Sequence, residues 1–310
     1  MLLKVSFKDF WAGFNPNDNL LLKLTEQAYG GKVEVVDPRS SKIDLEFRSV
    51  FTFRNKLEKM ISYGLGQISS NAWNDYVDRS HHGFSRNSKG YAKTTVWYTG
   101  ENIRAPRGIF DLTLSYDPTD IGESNVYFPV WFFSIDWFKT GRNREKSSYD
   151  INDFLAYRNL ESREKIACAF SSSRESSRLA LYDAVECEMR LDKFGSAWGN
   201  RIADKNLLAK NYGLQVCPEN DLYPGYVTEK LFEAYAAGTI PIWRGLDRDG
   251  IFNKKAFLDC TDLSYSELVE RVRGLTDDVL VDMRNQPLLN QRPSIQPVIL
   301  ALRKVIESGN

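Results

Sequence analysis

The chain has 310 residues, with 42% apolar and 13% aromatic residues, and its 41 Lys and Arg residues balance its 41 Asp and Glu residues. This length suits two domains of about 150 residues each, and the apolar content is sufficient for two cores. A formal charge of zero gives no support to non-specific nucleic-acid or membrane binding, so neither is expected as the main function.

The sequence predicts no targeting segment and no membrane span. The apolar stretch in residues 1–8 is short and is interrupted by Lys4 and Lys8, unlike a signal peptide. No run approaches the ~20 apolar residues that a transmembrane helix requires. The 4 cysteines form no Cys-x-x-Cys pair, which indicates free thiols in a reducing compartment. We therefore expect a cytoplasmic protein.

Strand-like and helix-like segments alternate through the first half of the chain. The periodicity of apolar residues predicts a helix over 18–28 and strands over 2–7, 32–36, 93–98 and 111–116. Such β/α alternation is typical of a parallel sheet flanked by helices.

A polar segment at 139–153 is the expected linker, and the β/α alternation restarts after it. The patterns predict strands over 165–170, 212–216 and 239–243, and helices over 177–189 and 227–237, with Gly238 ending the second helix. We therefore predict an α/β protein with two Rossmann-like domains, residues 1–153 and 154–310, that face a cleft.

Two cations stand in the first turns of the predicted helices of the second domain. Arg178 begins one helix and Lys230 the other, although the helix dipole disfavours a cation at that end. An anion held between two helix N-termini explains both, and a diphosphate fits the carboxyl edge of a parallel sheet. A solvated helix face is the open alternative. The glycine-rich G-x-G-x-x-G and G-x-x-x-x-G-K-[ST] loops are absent, which disfavours dinucleotide oxidoreductases and P-loop nucleotidases.

Several motifs in the second half carry a resemblance to a known family. They read Tyr-Gly-Leu-Gln-Val-Cys-Pro-Glu-Asn at 212–220, Gly-Tyr-Val-Thr-Glu-Lys-Leu at 225–231, Ala-Tyr at 234–235 and Thr-Ile-Pro-Ile-Trp at 239–243. In order and spacing they resemble the bacterial type of α-1,3-fucosyltransferases of glycosyltransferase family ten. Further similarity lies in Trp-Tyr-Thr-Gly-Glu-Asn at 97–102 and in the segment 173–184, so that the resemblance runs from about residue 93 to 260.

This resemblance implies a GT-B fold, with an acceptor-binding N-terminal domain and a GDP-fucose-binding C-terminal domain. It implies an inverting transfer of L-fucose to a glycan hydroxyl, with an α-1,3 linkage to GlcNAc of an N-acetyllactosamine-like oligosaccharide as the expected product. No cofactor and no metal is implied for the chemical step. By the same resemblance the site residues are Glu101 as general base, Arg178 and Lys230 on the diphosphate with Tyr226 beside it, Glu229 at the sugar or ribose, and Ser173 and Asn220 near the nucleotide.

The chemistry agrees with these residue types. A carboxylate such as Glu101 can take the proton of an acceptor hydroxyl when an apolar cleft raises its pKa. Arg178 and Lys230 would stabilise the charge that develops on the leaving diphosphate. Glu229 would lie near the oxocarbenium-like sugar, which carries the opposite charge. Without the resemblance, the residue pattern around Glu101 favours an ordinary surface glutamate.

The acceptor side is less defined. Trp11 and Phe14, beside a turn-forming run at 15–18, are candidates to stack on an acceptor sugar, with core packing as the alternative. A role in lipopolysaccharide or O-antigen biosynthesis at the inner face of a bacterial membrane follows from the family type, with peripheral membrane contact left open. The alternatives are a GT-B transferase for another nucleotide sugar and a non-catalytic glycan-binding module.

Some features depart from the family or imitate other sites. Leu214 and Pro218 replace two Phe residues of its signature, Arg244 replaces a Trp, and the sequence printed here shows no heptad repeats or basic tail. Asp247-Arg248-Asp249 has the spacing of a D-x-D metal motif, but the neighbouring Gly245 and Gly250 favour a turn. The only histidines, His81 and His82, are adjacent, which does not suit a shared metal. We predict no metal site.

Overall fold

A computed structural model describes residues 2–11, 13–51, 92–103, 108–117, 124–139, 142–143, 146–147, 149–172, 174 and 176–309. The chain divides into two compact units. The first consists of Met1–Pro129, Arg142–Lys146 and Ser294–Asn310, and the second of Val130–Gly141 and Ser147–Pro293. Each unit is built on a parallel sheet, which confirms the predicted α/β class with two Rossmann-like domains.

The first unit contains a six-stranded sheet in the order β2-β1-β3-β4-β5-β6. Its strands are β1 (Leu2–Lys8), β2 (Lys32–Val35), β3 (Ile43–Arg48), β4 (Ala92–Tyr98), β5 (Leu112–Ser115) and β6 (Asn125–Tyr127). All neighbouring strands are parallel, so their carboxyl ends lie at one edge. In sheets of this kind that edge is where ligands bind.

Helix α1 (Leu20–Tyr29) begins and ends where its sequence dictates. The side chain of Asn19 accepts a hydrogen bond from the Leu22 backbone N–H at 2.9 Å, which caps the N-terminus. Gly30 follows the helix with φ of 67°, a left-handed conformation that glycine adopts without strain. The helix buries its apolar face in the first unit, close to the predicted position.

The second unit contains a five-stranded parallel sheet in the order β10-β9-β11-β12-β13. Its strands are β9 (Ala167–Phe170), β10 (Leu191–Phe194), β11 (Leu214–Val216), β12 (Ile240–Trp243) and β13 (Leu258–Asp259). Two short strands, β7 (Arg142–Asn143) and β8 (Lys146–Ser147), form a separate pair that belongs to neither of the two large sheets. Five helices accompany this sheet among the described residues: α2 (Ser176–Glu186), α3 (Lys205–Ala209), α4 (Lys230–Ala236), α5 (Tyr265–Arg273) and α6 (Asp277–Asn285). Short 3-10 helices occur at Val130–Ser134, Ile151–Phe154 and Ser196–Trp198.

The core of the second unit explains why its strands are almost entirely apolar. Both faces of β9, β11 and β12 are covered, and residues such as Ala167, Leu214 and Ile242 are fully buried. Helices α2, α5 and α6 contribute Leu181, Val272 and further residues to this core. Continuous apolar strands are the expected pattern for a parallel sheet with two covered faces.

The division between the units differs from the boundary predicted between residues 153 and 154. The segment Val130–Gly141 joins the second unit because Trp131 stacks on Phe232, with ring centroids 4.5 Å apart, and its backbone N–H donates to the Val227 carbonyl at 3.3 Å. The last helix, α7 (Gln296–Gly309), joins the first unit instead.

Helix α7 returns to the first unit because of its apolar face. Val298, Ile299, Leu302 and Ile306 are buried, and the helix packs on α1 and on strands β3 to β6. Burial of side chains of this size contributes about 1.5–3 kcal/mol each. No helix within the described ranges has the length and apolar character needed to cross a membrane.

Candidate active site

A buried carboxylate organises the end of β11. Glu219 accepts hydrogen bonds from the backbone N–H of Thr228 at 3.0 Å and from its hydroxyl at 2.6 Å. The ammonium group of Lys230 lies 3.8 Å from the carboxylate. Burial raises the pKa of Glu219, while Lys230 and Thr228 oppose that rise by stabilising its charged form. Glu219 thus fixes the segment that leads into α4.

These contacts explain why α4 begins later than predicted. The sequence pattern placed its start at Val227, but Lys230 is its first residue and Glu229 occupies the N-cap position. Thr228 is engaged by Glu219, and the Val227 N–H donates to the Gly225 carbonyl at 3.0 Å rather than within a helix. The predicted start was therefore wrong by three residues, because the Glu219 side chain, from the loop after β11, supplies the hydrogen bonds that the first helical turn would have made.

Two cations meet on one oxygen atom. Lys230 Nζ donates to Asn220 Oδ1 at 2.6 Å and to the Pro218 carbonyl at 3.0 Å. Arg178, from the first turn of α2, donates through Nη2 to the same Asn220 oxygen at 2.8 Å. Arg178 also donates a hydrogen bond through Nη1 to the hydroxyl oxygen of Ser171 at 3.3 Å. The amide oxygen of Asn220 carries only a partial charge, so this cluster has the electrostatics of an oxyanion site.

The position of the cluster suits a ligand. Ser171 directly follows β9, and Pro218 to Asn220 follow β11, which is the neighbour of β9 in the sheet. Both segments therefore lie at the carboxyl edge, where parallel α/β sheets bind their ligands. The structure thus brings Arg178, Asn220 and Lys230 together at this edge, and their binding of a diphosphate stays a prediction.

Glu229 lies beside a cation that the sequence analysis did not identify. Lys205 Nζ is 4.0 Å from the Glu229 carboxylate and 2.5 Å from that of Glu233. Burial lowers the pKa of Lys205, but the two carboxylates more than offset this effect. The pKa is therefore raised, and the side chain is positively charged. Lys205 opens the short helix α3, and no motif distinguishes it from other lysines of the sequence. From the sequence, Glu219 was also given no role, although a glutamate three residues after an apolar strand could have indicated one.

Tyr226 and Ser173 are the other two residues predicted to bind the nucleotide sugar, and Arg244 is a departure from the family's signature. Tyr226 follows Gly225 and is buried, so its ring is not at the surface in this conformation. Ser173 lies outside the described residues. Arg244, which stands where the family has a Trp, is half-buried. Its backbone carbonyl accepts a hydrogen bond from the Glu219 N–H at 2.8 Å.

Gly245, next to Arg244, is required by close packing. A Cβ atom at this position would lie 2.2 Å from the Trp243 ring and 2.9 Å from Glu219 Cγ. Any side chain here would displace the carboxylate that holds the segment before α4.

The carboxyl end of α4 is anchored by two arginines. Arg158 donates to the Tyr235 carbonyl at 2.7 Å, and its guanidinium lies 3.5 Å from the centroid of the Tyr235 ring. Arg163 donates to the Ala237 carbonyl at 3.1 Å. Cations at a helix C-terminus are favoured by the helix dipole, so these contacts stabilise the helix that begins with Lys230.

Glu101 belongs to the first unit and follows β4. Its backbone is held by Thr99, whose hydroxyl donates to the Glu101 carbonyl at 2.8 Å and accepts from the Glu101 N–H at 3.1 Å. The Tyr116 hydroxyl donates to the same carbonyl at 2.7 Å. The half-buried side chain of Glu101 therefore stands on a fixed backbone at the carboxyl edge of the first sheet.

Trp11 and Phe14 form part of an aromatic cluster at this same edge. Phe14 stacks on Phe10 with centroids 4.1 Å apart, and Trp11 contacts Phe14 at 5.1 Å and Phe51 at 5.8 Å. Both predicted residues are only half-buried, so they pack against neighbours and also retain exposed ring surface.

The metal-like motifs take other roles. Asp247 accepts hydrogen bonds from the backbone N–H groups of Asp249 at 3.2 Å and Phe252 at 2.9 Å, and Asp249 pairs with Arg248 at 2.8 Å. These contacts form a turn. In the part of the chain that the structure describes, no group of three or more metal-ligating side chains occurs, and His81 and His82 lie outside that part.

Comparisons with known proteins point to one family. Residues 160–281 match the family model described as glycosyltransferase family 10 (fucosyltransferase), C-terminal part. The chain is 26% identical over 236 residues to the alpha-(1,3)-fucosyltransferase FucT of Helicobacter pylori, which covers 66% of this chain and 49% of that protein. It is 30% identical over 176 residues to 4-galactosyl-N-acetylglucosaminide 3-alpha-L-fucosyltransferase 9 of Rattus norvegicus, covering 53% of this chain and 43% of that protein.

The structural similarity extends over nearly the whole chain. A solved alpha1,3-fucosyltransferase with GDP-fucose superimposes with a TM-score of 0.66 at 18% identity, covering 98% of this chain and 90% of that one. A second solved structure, also described as an alpha1,3-fucosyltransferase, gives a TM-score of 0.64 at 20% identity, with coverages of 99% and 90%. This likeness establishes the GT-B fold. The chain spans about half the length of the curated relatives that it matches.

Proposed function

We propose, on the premise that this chain belongs to glycosyltransferase family ten through its segment 160–281, that it transfers L-fucose from GDP-fucose to a hydroxyl group of a glycan. The observation that carries the proposal is the convergence of Arg178 and Lys230 on the oxygen of Asn220. All three residues lie within the matched segment, and the positive charges of Arg178 and Lys230 suit the diphosphate of a nucleotide sugar.

The transfer proposed is inverting and uses no metal. Glu101 accepts the proton of the acceptor hydroxyl, whose oxygen attacks the anomeric carbon of fucose while the bond to GDP breaks. Arg178 and Lys230 stabilise the negative charge that develops on the diphosphate, and Glu229 stabilises positive charge on the sugar. We expect full activity after treatment with EDTA, and loss of activity that Mg²⁺ or Mn²⁺ restores would contradict this mechanism.

Nucleotide selectivity is the first test of the proposal. Calorimetry with GDP, UDP and ADP should detect binding of GDP alone. Binding of UDP or ADP in place of GDP would favour a GT-B transferase for another nucleotide sugar. Hydrolysis of GDP-fucose to GDP and fucose, measured without acceptor, distinguishes an enzyme from a non-catalytic glycan-binding module.

The role of Glu101 as the proton acceptor is tested by replacing one of its carboxylate oxygens with an amide NH₂ group. Glu101→Gln should retain the GDP affinity of the parent protein, because Glu101 belongs to the other unit, but should lower the transfer rate by at least about 100-fold. Transfer at the parent rate would exclude Glu101 as the base.

The acceptor, linkage and location form the finer part of the proposal. The names of the matched relatives support an α-1,3 linkage to GlcNAc of an N-acetyllactosamine-like glycan. We extend the proposal to a cytoplasmic enzyme of lipopolysaccharide or O-antigen biosynthesis, with which the bacterial origin of one matched relative is consistent. A panel of glycan acceptors, with the product linkage determined by NMR, tests the first statement, and cell fractionation tests the second.

A further inference from the structure

Two buried polar groups at the end of β3 lack hydrogen-bond partners among the described residues. They are Nη2 of Arg48, the last residue of the strand, and the hydroxyl of Ser49. Arg48 is 4% exposed and Ser49 is 1% exposed. A buried hydrogen-bond donor without a partner destabilises a fold, so two adjacent ones indicate a site whose partners arrive with a ligand.

These groups lie at the edge of the sheet that also carries Glu101. Strand β3 is central, and Arg48 pairs in register with Lys8 of β1 and Trp97 of β4. Beyond the strands, the Ser49 N–H donates to the Lys8 carbonyl at 3.0 Å. Since Glu101 follows β4 and Ser49 follows β3, both residues lie at the carboxyl edge of neighbouring strands.

The backbone at this edge is held in an uncommon conformation. Asp9, directly after β1, has a φ of 62°, in the left-handed region that few residues other than glycine occupy. Its carbonyl accepts a hydrogen bond from the Phe51 N–H at 2.9 Å, which ties the two loops together. Such strained positions cluster at ligand sites, where the surrounding structure maintains them.

The charge balance around Arg48 selects the chemistry of the ligand. Arg48 Nε donates to the carboxylate of Glu46, and both side chains are buried, so the guanidinium charge is already compensated. The Ser6 hydroxyl donates to the other oxygen of Glu46 at 3.4 Å. A further anion would leave an uncompensated charge in a buried place, whereas a neutral oxygen would satisfy Nη2 without that cost.

The neighbouring aromatic cluster favours a sugar as the bearer of that oxygen. The half-buried Trp11 contacts Phe51, two residues after Ser49, with ring centroids 5.8 Å apart. Aromatic rings combined with a few oriented hydrogen-bond donors are typical of sites for neutral, partly apolar ligands.

We propose that Arg48 and Ser49 determine acceptor specificity by donating hydrogen bonds to a neutral oxygen of the acceptor sugar, a hydroxyl or the carbonyl of an acetamido group. The sugar ring lies against Trp11. This inference rests on the proposed function for the identity of the acceptor, and the two residues do not take part in the bond-breaking step.

Ser49→Ala is the sharpest test, because it removes one oxygen atom from a buried place. We expect the acceptor KM to rise about tenfold, the equivalent of one hydrogen bond of about 1.4 kcal/mol. The KM for GDP-fucose and the rate of its hydrolysis without acceptor should stay unchanged. The melting temperature should not fall, because the free protein loses an unsatisfied hydroxyl. Ser308→Ala, at an exposed serine of α7 in the same unit, is the matched control and should change none of these values.

A second measurement does not depend on catalysis. Saturation-transfer NMR with N-acetyllactosamine should show weaker glycan binding for Ser49→Ala and for Arg48→Lys than for the parent protein. Weaker glycan binding without any transfer from GDP-fucose would support this inference while refuting the proposed function. Unchanged acceptor KM and unchanged glycan binding in Ser49→Ala would overturn the inference even if transfer is observed.

Discussion

Asn220→Asp should change stability and nucleotide affinity in opposite directions. The Asn220 oxygen accepts hydrogen bonds from Lys230 at 2.6 Å and Arg178 at 2.8 Å. Aspartate has nearly the same shape, but it places a negative charge between the two cations. In the free protein, two hydrogen bonds from cations to a neutral amide oxygen become two ion pairs, whereas a diphosphate then meets a site that is already neutralised.

The magnitudes follow from these two contacts. Both contacts already have a charged donor, so the gain comes from the added charge on the acceptor, which attracts a cation about 4 Å away by about 4 kcal/mol at an effective dielectric constant of 20, before desolvation and screening. The Lys230 side chain is 24% exposed, so solvent screening reduces the combined gain to about 1 kcal/mol. For units of this size that gain raises the melting temperature by about 2–4 °C. Repulsion between the new carboxylate and a phosphate oxygen, at an effective dielectric constant near 20, costs about 2–3 kcal/mol after screening, or roughly 100-fold in GDP affinity.

Calorimetry measures both quantities. Thermal unfolding should give the higher melting temperature, and titration with GDP the weaker affinity, while guanosine affinity should change little. Asn211→Asp, at an exposed asparagine of the same unit, adds the same charge outside the cluster and should leave GDP affinity unchanged. If Asn220→Asp binds GDP as tightly as the parent protein, the diphosphate does not occupy this cluster.

Three further substitutions test the site and the fold. Lys230→Met should weaken GDP binding, measured by titration calorimetry, about 30-fold, because one charge-assisted contact of about 2 kcal/mol is lost. The control Lys254→Met removes a cation that is paired with Asp259 at 2.8 Å, and it should leave GDP binding unchanged. Leu302→Ala, in the fully buried face of α7, should lower the free energy of unfolding by about 2–5 kcal/mol in urea titrations, and a loss below 1 kcal/mol would contradict the docking of this helix. Burial raises the pKa of Glu219 above 4.5, so the folded protein binds this proton more tightly than the unfolded chain, and stability declines as pH rises from 4.5 to the raised pKa. Glu219→Gln should lack this decline in melting curves recorded from pH 4 to 8, and a parallel pH profile in both proteins would exclude an effect of Glu219.

The predicted elements that matched the structure are those with a local cause. The apolar runs at β9, β11 and β12 predicted strands within about two residues of their ends, because a parallel strand with two covered faces is apolar throughout. Helix α1 was also predicted from its spacing, and its caps are local. The start of α4 was mispredicted because Glu219, nine residues before Thr228, supplies the hydrogen bonds that a helical turn would have made.

The association of distant residues depended on the tertiary structure. The sequence placed Arg178 and Lys230 in first turns of separate helices, but their meeting at Asn220 depends on β9 and β11 being neighbours. Lys205 beside Glu229, and the return of α7 to the first unit, have no signal in local periodicity. Both arise from packing between segments that are far apart along the chain.

Local pattern thus determined the α/β class, the division into two β/α halves and the chemical types of the candidate site residues. These properties depend on residues a few positions apart, where periodicity and turn chemistry act. The tertiary structure alone decided which side chains share an oxygen atom, which are buried without a partner, and where one unit ends. Those outcomes depend on strand order and register, which bring Arg48 beside Trp97 and the end of β9 beside the end of β11, and no local interaction specifies them.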